Sequence, residues 1–200
     1  MVMSEGKVDN RRIFSRWVRA TWIGWILSIP LIAAFALLGE AVGIGGAQVL
    51  VGIGLGTGIG LMQGRVIRSV LHRFAPWFWS CAIGLAVPFL AADIVKATGR
   101  EFAYSQQASV ALGGIVVGIW QSFILRSHLH RTRWWIVGSA VGWTLAAATA
   151  ASADFLSRSK SLRGLWGALI YLGLITGGGL ILGLVTGLLL VWDLRDEPAT

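Results

Sequence analysis

The chain has 200 residues, 56% of apolar types and only 13% charged, with a mean hydropathy of +0.72. A water-soluble domain carries about 25% charged residues because it must wet its surface, so this composition excludes an ordinary soluble globule and makes lipid the solvent for most side chains. The net charge of +8 and pI of about 11.1 would suggest nucleic acid in a soluble protein. Here the basic residues are spread over short segments between apolar runs, which argues against that partner and makes anionic lipid headgroups the nearest counter-charge.

In chain order, a basic segment comes first, residues 1–19, with Lys7, Arg11, Arg12, Arg16 and Arg19. Six stretches without Asp, Glu, Lys or Arg follow, at 20–39, 41–64, 74–92, 102–125, 134–153 and 164–192. A bilayer core of about 30 Å takes roughly 20 helical residues to cross. In lipid the backbone must satisfy its own hydrogen bonds, which leaves helix or closed barrel, and continuous rather than alternating apolarity selects helix. The first stretch exceeds the roughly 7–15 apolar residues of a signal-peptide core and is read as a retained helix. Pro30 and Pro88 fall inside spans and should bend them. The last stretch is long and holds Gly177, Gly178 and Gly179 near its middle; it is read as one helix. The expectation is an all-α six-helix transmembrane domain over residues 20–192, with a short tail at 193–200.

Lys and Arg set the orientation. Lys7, Arg11, Arg12, Arg16, Arg19, Arg65, Arg68, Arg73, Arg126, Arg131, Arg133 and Arg195 fall on one side, against Lys96, Arg100, Arg158, Lys160 and Arg163 on the other. By the positive-inside rule both termini are then cytoplasmic.

The spans repeat. Gly56-x3-Gly60-x2-Gln63 in the second recurs as Gly114-x3-Gly118-x2-Gln121 in the fourth, 58 residues on. The same offset pairs Arg68 with Arg126, His72 with His130, Arg73 with Arg131, Trp77 with Trp135 and Gly84 with Gly142. A third copy is worn: Trp17-x6-Gly24-Trp25 in the first span matches Trp135-x6-Gly142-Trp143 in the fifth, and Gly179-x3-Gly183-x2-Thr186 in the sixth keeps the glycine spacing with Thr where Gln stood. The chain therefore reads as three tandem helical hairpins, each a Trp-led helix out and a Gly-rich helix back. All three start on one side, which predicts a pseudo-threefold axis along the membrane normal.

The string G-x3-G-x2-Q, a downstream Arg, then a Trp-led helix with a small polar residue and Gly-Trp resembles a pattern in uncharacterised bacterial polytopic membrane proteins. Through 56–84 and 114–143 the resemblance covers much of the chain. It implies a bacterial inner membrane or an internal photosynthetic membrane and brings no known activity.

Several positions could carry function. Gly52, Gly56 and Gly60 share one helix face, as do Gly114 and Gly118, with Gly179 and Gly183 at the same spacing in the sixth span. Small residues at that spacing let backbones approach. Gln63 and Gln121 each precede an Arg by five residues, about 7.5 Å inside the boundary, near the depth of Thr21, Cys81 and Ser139. Contacts from Gln to hydroxyl between hairpins are expected, with a polar ring of Gln63, Gln121 and Thr186 on the axis as the functional alternative. Cys81, the single cysteine, has apolar neighbours and reads as an inert packed thiol. Arg68, Arg73, Arg126, Arg131, His72 and His130 read as headgroup contacts; arginines beside His128 and His130 oppose metal binding. Glu40, Asp93 and Asp154 close the outer ends of the outgoing helices, as polar caps or as an acidic mouth.

Of eleven tryptophans, Trp17, Trp77, Trp79, Trp134, Trp135 and Trp192 fall where an interfacial belt is expected. Trp25, Trp120 and Trp143 lie deeper; a pigment is conceivable there but nothing indicates one. No Ser-His-Asp grouping, H-E-x-x-H, Walker loop or paired carboxylate occurs, so neither an enzyme nor a cofactor is expected. The sequence favours a membrane subunit or scaffold binding lipid, pigment or protein partners. The alternative is a transporter or channel for a small solute or ion, constricted on the pseudo-threefold axis.

Overall fold

The computed structural model of the chain describes residues 10–100, 102–127, 132–159 and 164–194. They form α1 (Asn10–Ala41), α2 (Val49–Leu71), α3 (Phe74–Ala97), α4 (Ser105–Leu125), α5 (Thr132–Arg158) and α6 (Gly164–Leu194). Each holds a window long and apolar enough to cross a bilayer. Leu37, Ile83, Phe123 and Leu165 are among the many large apolar side chains that point outwards, a surface that water would penalise. This is a multi-pass membrane architecture. Arg11, Arg12, Arg16 and Arg19 ride on the first described turns of α1. α6 runs unbroken through Gly177–Gly179, since in lipid a broken helix would leave backbone groups unpaired.

Consecutive helices pack side by side and α6 returns to α1, so the six close into a ring. The reversals are short. His72 adopts φ 55° and its N–H donates to Arg68 O at 3.2 Å, which ends α2 and turns the chain into α3. On the opposite side the loop at 42–48 turns on Gly43 and Gly46, at φ 80° and 76°, a region that side-chain-bearing residues avoid. Asp93 on α3 then caps α2 from outside: its carboxylate accepts from the N–H groups of Gln48 and Val49, both at 2.8 Å. These are two of the donors that a helix start leaves unpaired, at the positive end of its dipole.

Burying apolar surface gains little against lipid tails that are themselves apolar, so close packing must hold the ring together. Glycine provides it in two sets. Gly52, Gly56 and Gly60 of α2 lie on α3, Gly114 and Gly118 of α4 lie on α5, and Gly179 and Gly183 of α6 lie on α1. Each of these joins a return helix to the outgoing helix of the next hairpin. The second set works inside the hairpins: Gly24 of α1 meets Gly58 and Ile59 of α2, Gly84 of α3 meets Val117 of α4, and Gly142 of α5 meets Leu182 of α6.

A Cβ on Gly56 would stand 2.7 Å from the Cα of Ala82, and backbone cannot swing away as a side-chain tip can. Gly56→Ala is therefore expected to lower the thermal midpoint in detergent, by about 1–3 kcal/mol of overpacking against the roughly 1 kcal/mol that alanine gains over glycine in a helix. Gly173→Ala, where a Cβ meets nothing within 4 Å, should leave the midpoint unchanged or raise it. Equal midpoints for the two variants in a thermal melt would contradict this packing.

Candidate functional site

Trp17, Trp77 and Trp135 come from α1, α3 and α5, alternate members of the ring, and meet at its centre. Their ring centroids are 5.6, 6.0 and 5.7 Å apart, with interplanar angles of 82°, 74° and 66°. Edge-to-face contact suits the aromatic quadrupole, and three rings can satisfy it mutually only around a common point. All three are buried, Trp17 and Trp77 completely. The belt expected of them is therefore made by others: Trp79, Trp134 and Trp192 are the exposed ones at this end. Position along a helix sets depth, and these three rings turn inwards because a partner for their N–H groups waits there.

Those partners are the repeated amides. Trp77 Nε1 donates to Gln63 Oε1 at 3.3 Å and Trp135 Nε1 donates to Gln121 Oε1 at 3.0 Å. Trp17 Nε1 donates to Thr186 Oγ1 at 2.9 Å. Each bond ties the outgoing helix of one hairpin to the return helix of the one before it around the ring. An indole can only donate, so each amide must offer its oxygen there and turn its nitrogen away. Gln63 Nε2 then donates to Thr21 Oγ1 at 3.0 Å and Gln121 Nε2 to Cys81 Sγ at 3.3 Å. Both lie within a hairpin, whereas the sequence suggested contacts between hairpins. Thr186 has no amide to extend and its hydroxyl donates to Leu182 O at 2.7 Å. Ser139, left without a Gln, donates instead to Gly114 O at 2.8 Å. No buried side-chain nitrogen or oxygen among the described residues lacks a partner.

The girdle lies between apolar layers. Ile59, Val117 and Leu182 stand one turn to one side of Gln63, Gln121 and Thr186, and Ile67, Leu125 and Leu190 one turn to the other, all buried. Further from the basic face, Trp25 and Trp143 pack at 6.2 Å between centroids, while Trp120 remains partly exposed on α4.

Beyond Trp25 the centre opens. A cavity of about 270 Å³ is lined by residues of all six helices, among them Trp25, Ser28, Gln107, Asp154, Tyr171 and Ile175. Trp25 Nε1 donates to Ile175 O at 2.7 Å, and the Ser28 hydroxyl lies within reach of Gly24 O and Leu55 O at 2.8 and 3.1 Å. Asp154 Oδ2 accepts from Gln107 Nε2 at 2.7 Å. The three acids do not share a mouth: Asp93 caps α2, Asp154 faces the cavity and Glu40 is exposed at the end of α1.

Arg68, Arg73, Arg126 and His72 are exposed on the opposite face, with the Arg126 guanidinium 5.9 Å above the Phe123 ring. Arg131 and His130, like His128, lie outside the described residues. Among the described residues no group of three His, Cys, Asp or Glu side chains could hold a metal. Neither the tryptophan cluster nor the cavity is explicit in the motifs; the signal for the former is that Trp77 and Trp135 follow Gln63 and Gln121 by the same 14 residues. Comparison of the chain with protein-family models, curated proteins and solved structures found no match.

Replacing Gln63 by Leu strands the Trp77 N–H in a dry interior, at a cost of about 1–3 kcal/mol. Combining it with Trp77→Phe removes the donor as well, so the double variant should lose less than the sum of the two single changes. Additive losses in thermal or denaturant unfolding would mean that the two side chains do not interact.

Proposed function

We propose that this protein is a conduit for a small solute, a transporter or channel whose path follows a pseudo-threefold axis between three related hairpins. The girdle of Trp17, Trp77, Trp135, Gln63, Gln121 and Thr186 is its constriction. The observation that carries the reading is a cavity lined by residues of all six helices beyond Trp25, together with a buried polar and aromatic layer shared by the same helices nearer the basic face. The amides fix the registry of the hairpins and also put hydrogen-bonding groups at the centre, beside the three rings. A ring of apolar side chains would close the centre without the cost of burying polar groups.

The girdle, as described, is shut. Three rings fill the centre and apolar layers seal both sides of it, so a hydrated solute would lose its water with nothing to replace it. Movement of the rings changes this. When an indole swings aside, its amide partner regains a free carbonyl oxygen and can stand in for water along the path. Neutral amides also suit passage without covalent chemistry, and no catalytic group is assigned.

A scaffold that docks partners through its glycine or tryptophan faces is less well supported. The glycine rows are consumed by contacts between helices of this chain, and three of the tryptophans are turned to the centre. By the distribution of arginine we assign the basic face to the cytoplasm, so the cavity opens to the other side.

Proteoliposome shrinkage under osmotic challenge, read by stopped-flow light scattering, tests the proposal. Trp77→Ala should raise small-solute permeability at least ten-fold over the wild type, and Trp79→Ala, at an exposed ring, should leave it unchanged. Permeability equal to protein-free vesicles in both the wild type and Trp77→Ala would remove the conduit reading. Stoichiometric co-purification of another membrane protein, with no flux, would restore the scaffold.

A further inference from the structure

We infer that the central cavity binds a small organic cation, an ammonium bearing compact apolar groups, between the Asp154 carboxylate and the rings of Trp25 and Tyr171. The inference rests on the proposed function only in taking this cavity as the place where the solute docks; binding and passage are measured separately.

Charge is the first argument. Asp154 is the one carboxylate among the lining residues, and no Lys or Arg lines the cavity. Its hydrogen bond comes from the Gln107 amide, a neutral donor that orients the carboxylate and leaves its charge in place. Arg158, one turn further along α5, is exposed and lines an adjoining outer cleft with Asp154, not this cavity. A cavity with low-dielectric walls and one sign of charge attracts the opposite sign.

The remaining chemistry narrows the class. The Trp25 indole N–H is committed to Ile175 O, and the Ser28 hydroxyl lies within reach of two backbone carbonyls. The lining donors that remain, the Gln106 amide and the Tyr171 hydroxyl, belong to exposed side chains, so few donors are left inside for an anion or a sugar. A hard metal cation wants six or more oxygen ligands, and one carboxylate with one amide cannot supply them. An organic ammonium asks for less. One carboxylate meets its charge, and aromatic faces attract the polarised methyl or methylene shell that ammonium substituents present. Trp25 and Tyr171 both line the space of about 270 Å³ between the helices, a volume that admits a compact ion.

Tetramethylammonium is the probe, titrated calorimetrically into the full chain in nanodiscs, with tert-butanol as the neutral counterpart of similar shape. Saturable binding of the cation and none of the alcohol is the expected result. Asp154→Asn should weaken the cation at least ten-fold, and Tyr171→Leu, at a side chain 39% exposed, should weaken it several-fold. Both variants should keep the wild-type elution volume and thermal midpoint. Equal binding of the alcohol, no saturable binding of the cation, or unchanged affinity in a folded Asp154→Asn would each overturn the inference. Flux of neutral solutes without cation binding would leave the conduit standing and remove its cation. Binding without flux would do the reverse.

Discussion

An indole N–H in a hydrocarbon environment has no water to turn to, and in this protein each of three such groups at one level is met by an oxygen on another helix. The rest of the architecture follows from that demand. The donor is on an outgoing helix and the acceptor on the return helix of the neighbouring hairpin, so three bonds of one kind tie the hairpins into a closed ring. The bonds are modest individually, averaging well under 2 kcal/mol in membrane proteins. Their value lies in direction: an indole without its acceptor is costly, so any other registry between hairpins is penalised.

Close approach makes those bonds geometrically available. Glycine on both flanks of α2, facing α1 through Gly54 and Gly58 and α3 through Gly52, Gly56 and Gly60, lets one helix lie against two neighbours at backbone distance. Six helices drawn in so tightly leave little space at the centre, and three tryptophans fill it. Towards the other face, beyond Trp25, the same six helices line a cavity. The dry girdle and the open cavity thus belong to one ring of helices.

Much of the fold was legible in the chain. Uncharged runs long enough to span, separated by arginines, mark the helices, and glycine spacing marks contact faces. The unbroken last helix follows from the rule that lipid tolerates no exposed backbone. The azimuth of the tryptophans was not legible. Trp17, Trp77 and Trp135 stand at helix ends, where an interfacial belt also places tryptophan, and only the partner in space separates the two roles. For Trp77 and Trp135 a clue existed in the shared 14-residue step from Gln63 and Gln121. For Trp17 the repeat offered only Thr186 in the place of the glutamine, 169 residues away, and the two meet only when the ring closes. Ser139 illustrates the same limit: its expected role depended on a glutamine that the third copy lacks. The cavity was invisible for another reason, since each helix contributes only a few lining residues and these share no motif.

The central claim is that Trp17, Trp77 and Trp135 meet in a dry core with their N–H groups bonded. Hydrogen exchange of the indole N–H groups, followed by NMR on uniformly labelled protein moved into heavy water, tests it most directly. Signals assigned by single Trp→Phe changes should persist for Trp17, Trp77 and Trp135 long after those of the exposed Trp79 and Trp134 have vanished. Loss of all five on the same timescale would contradict the account.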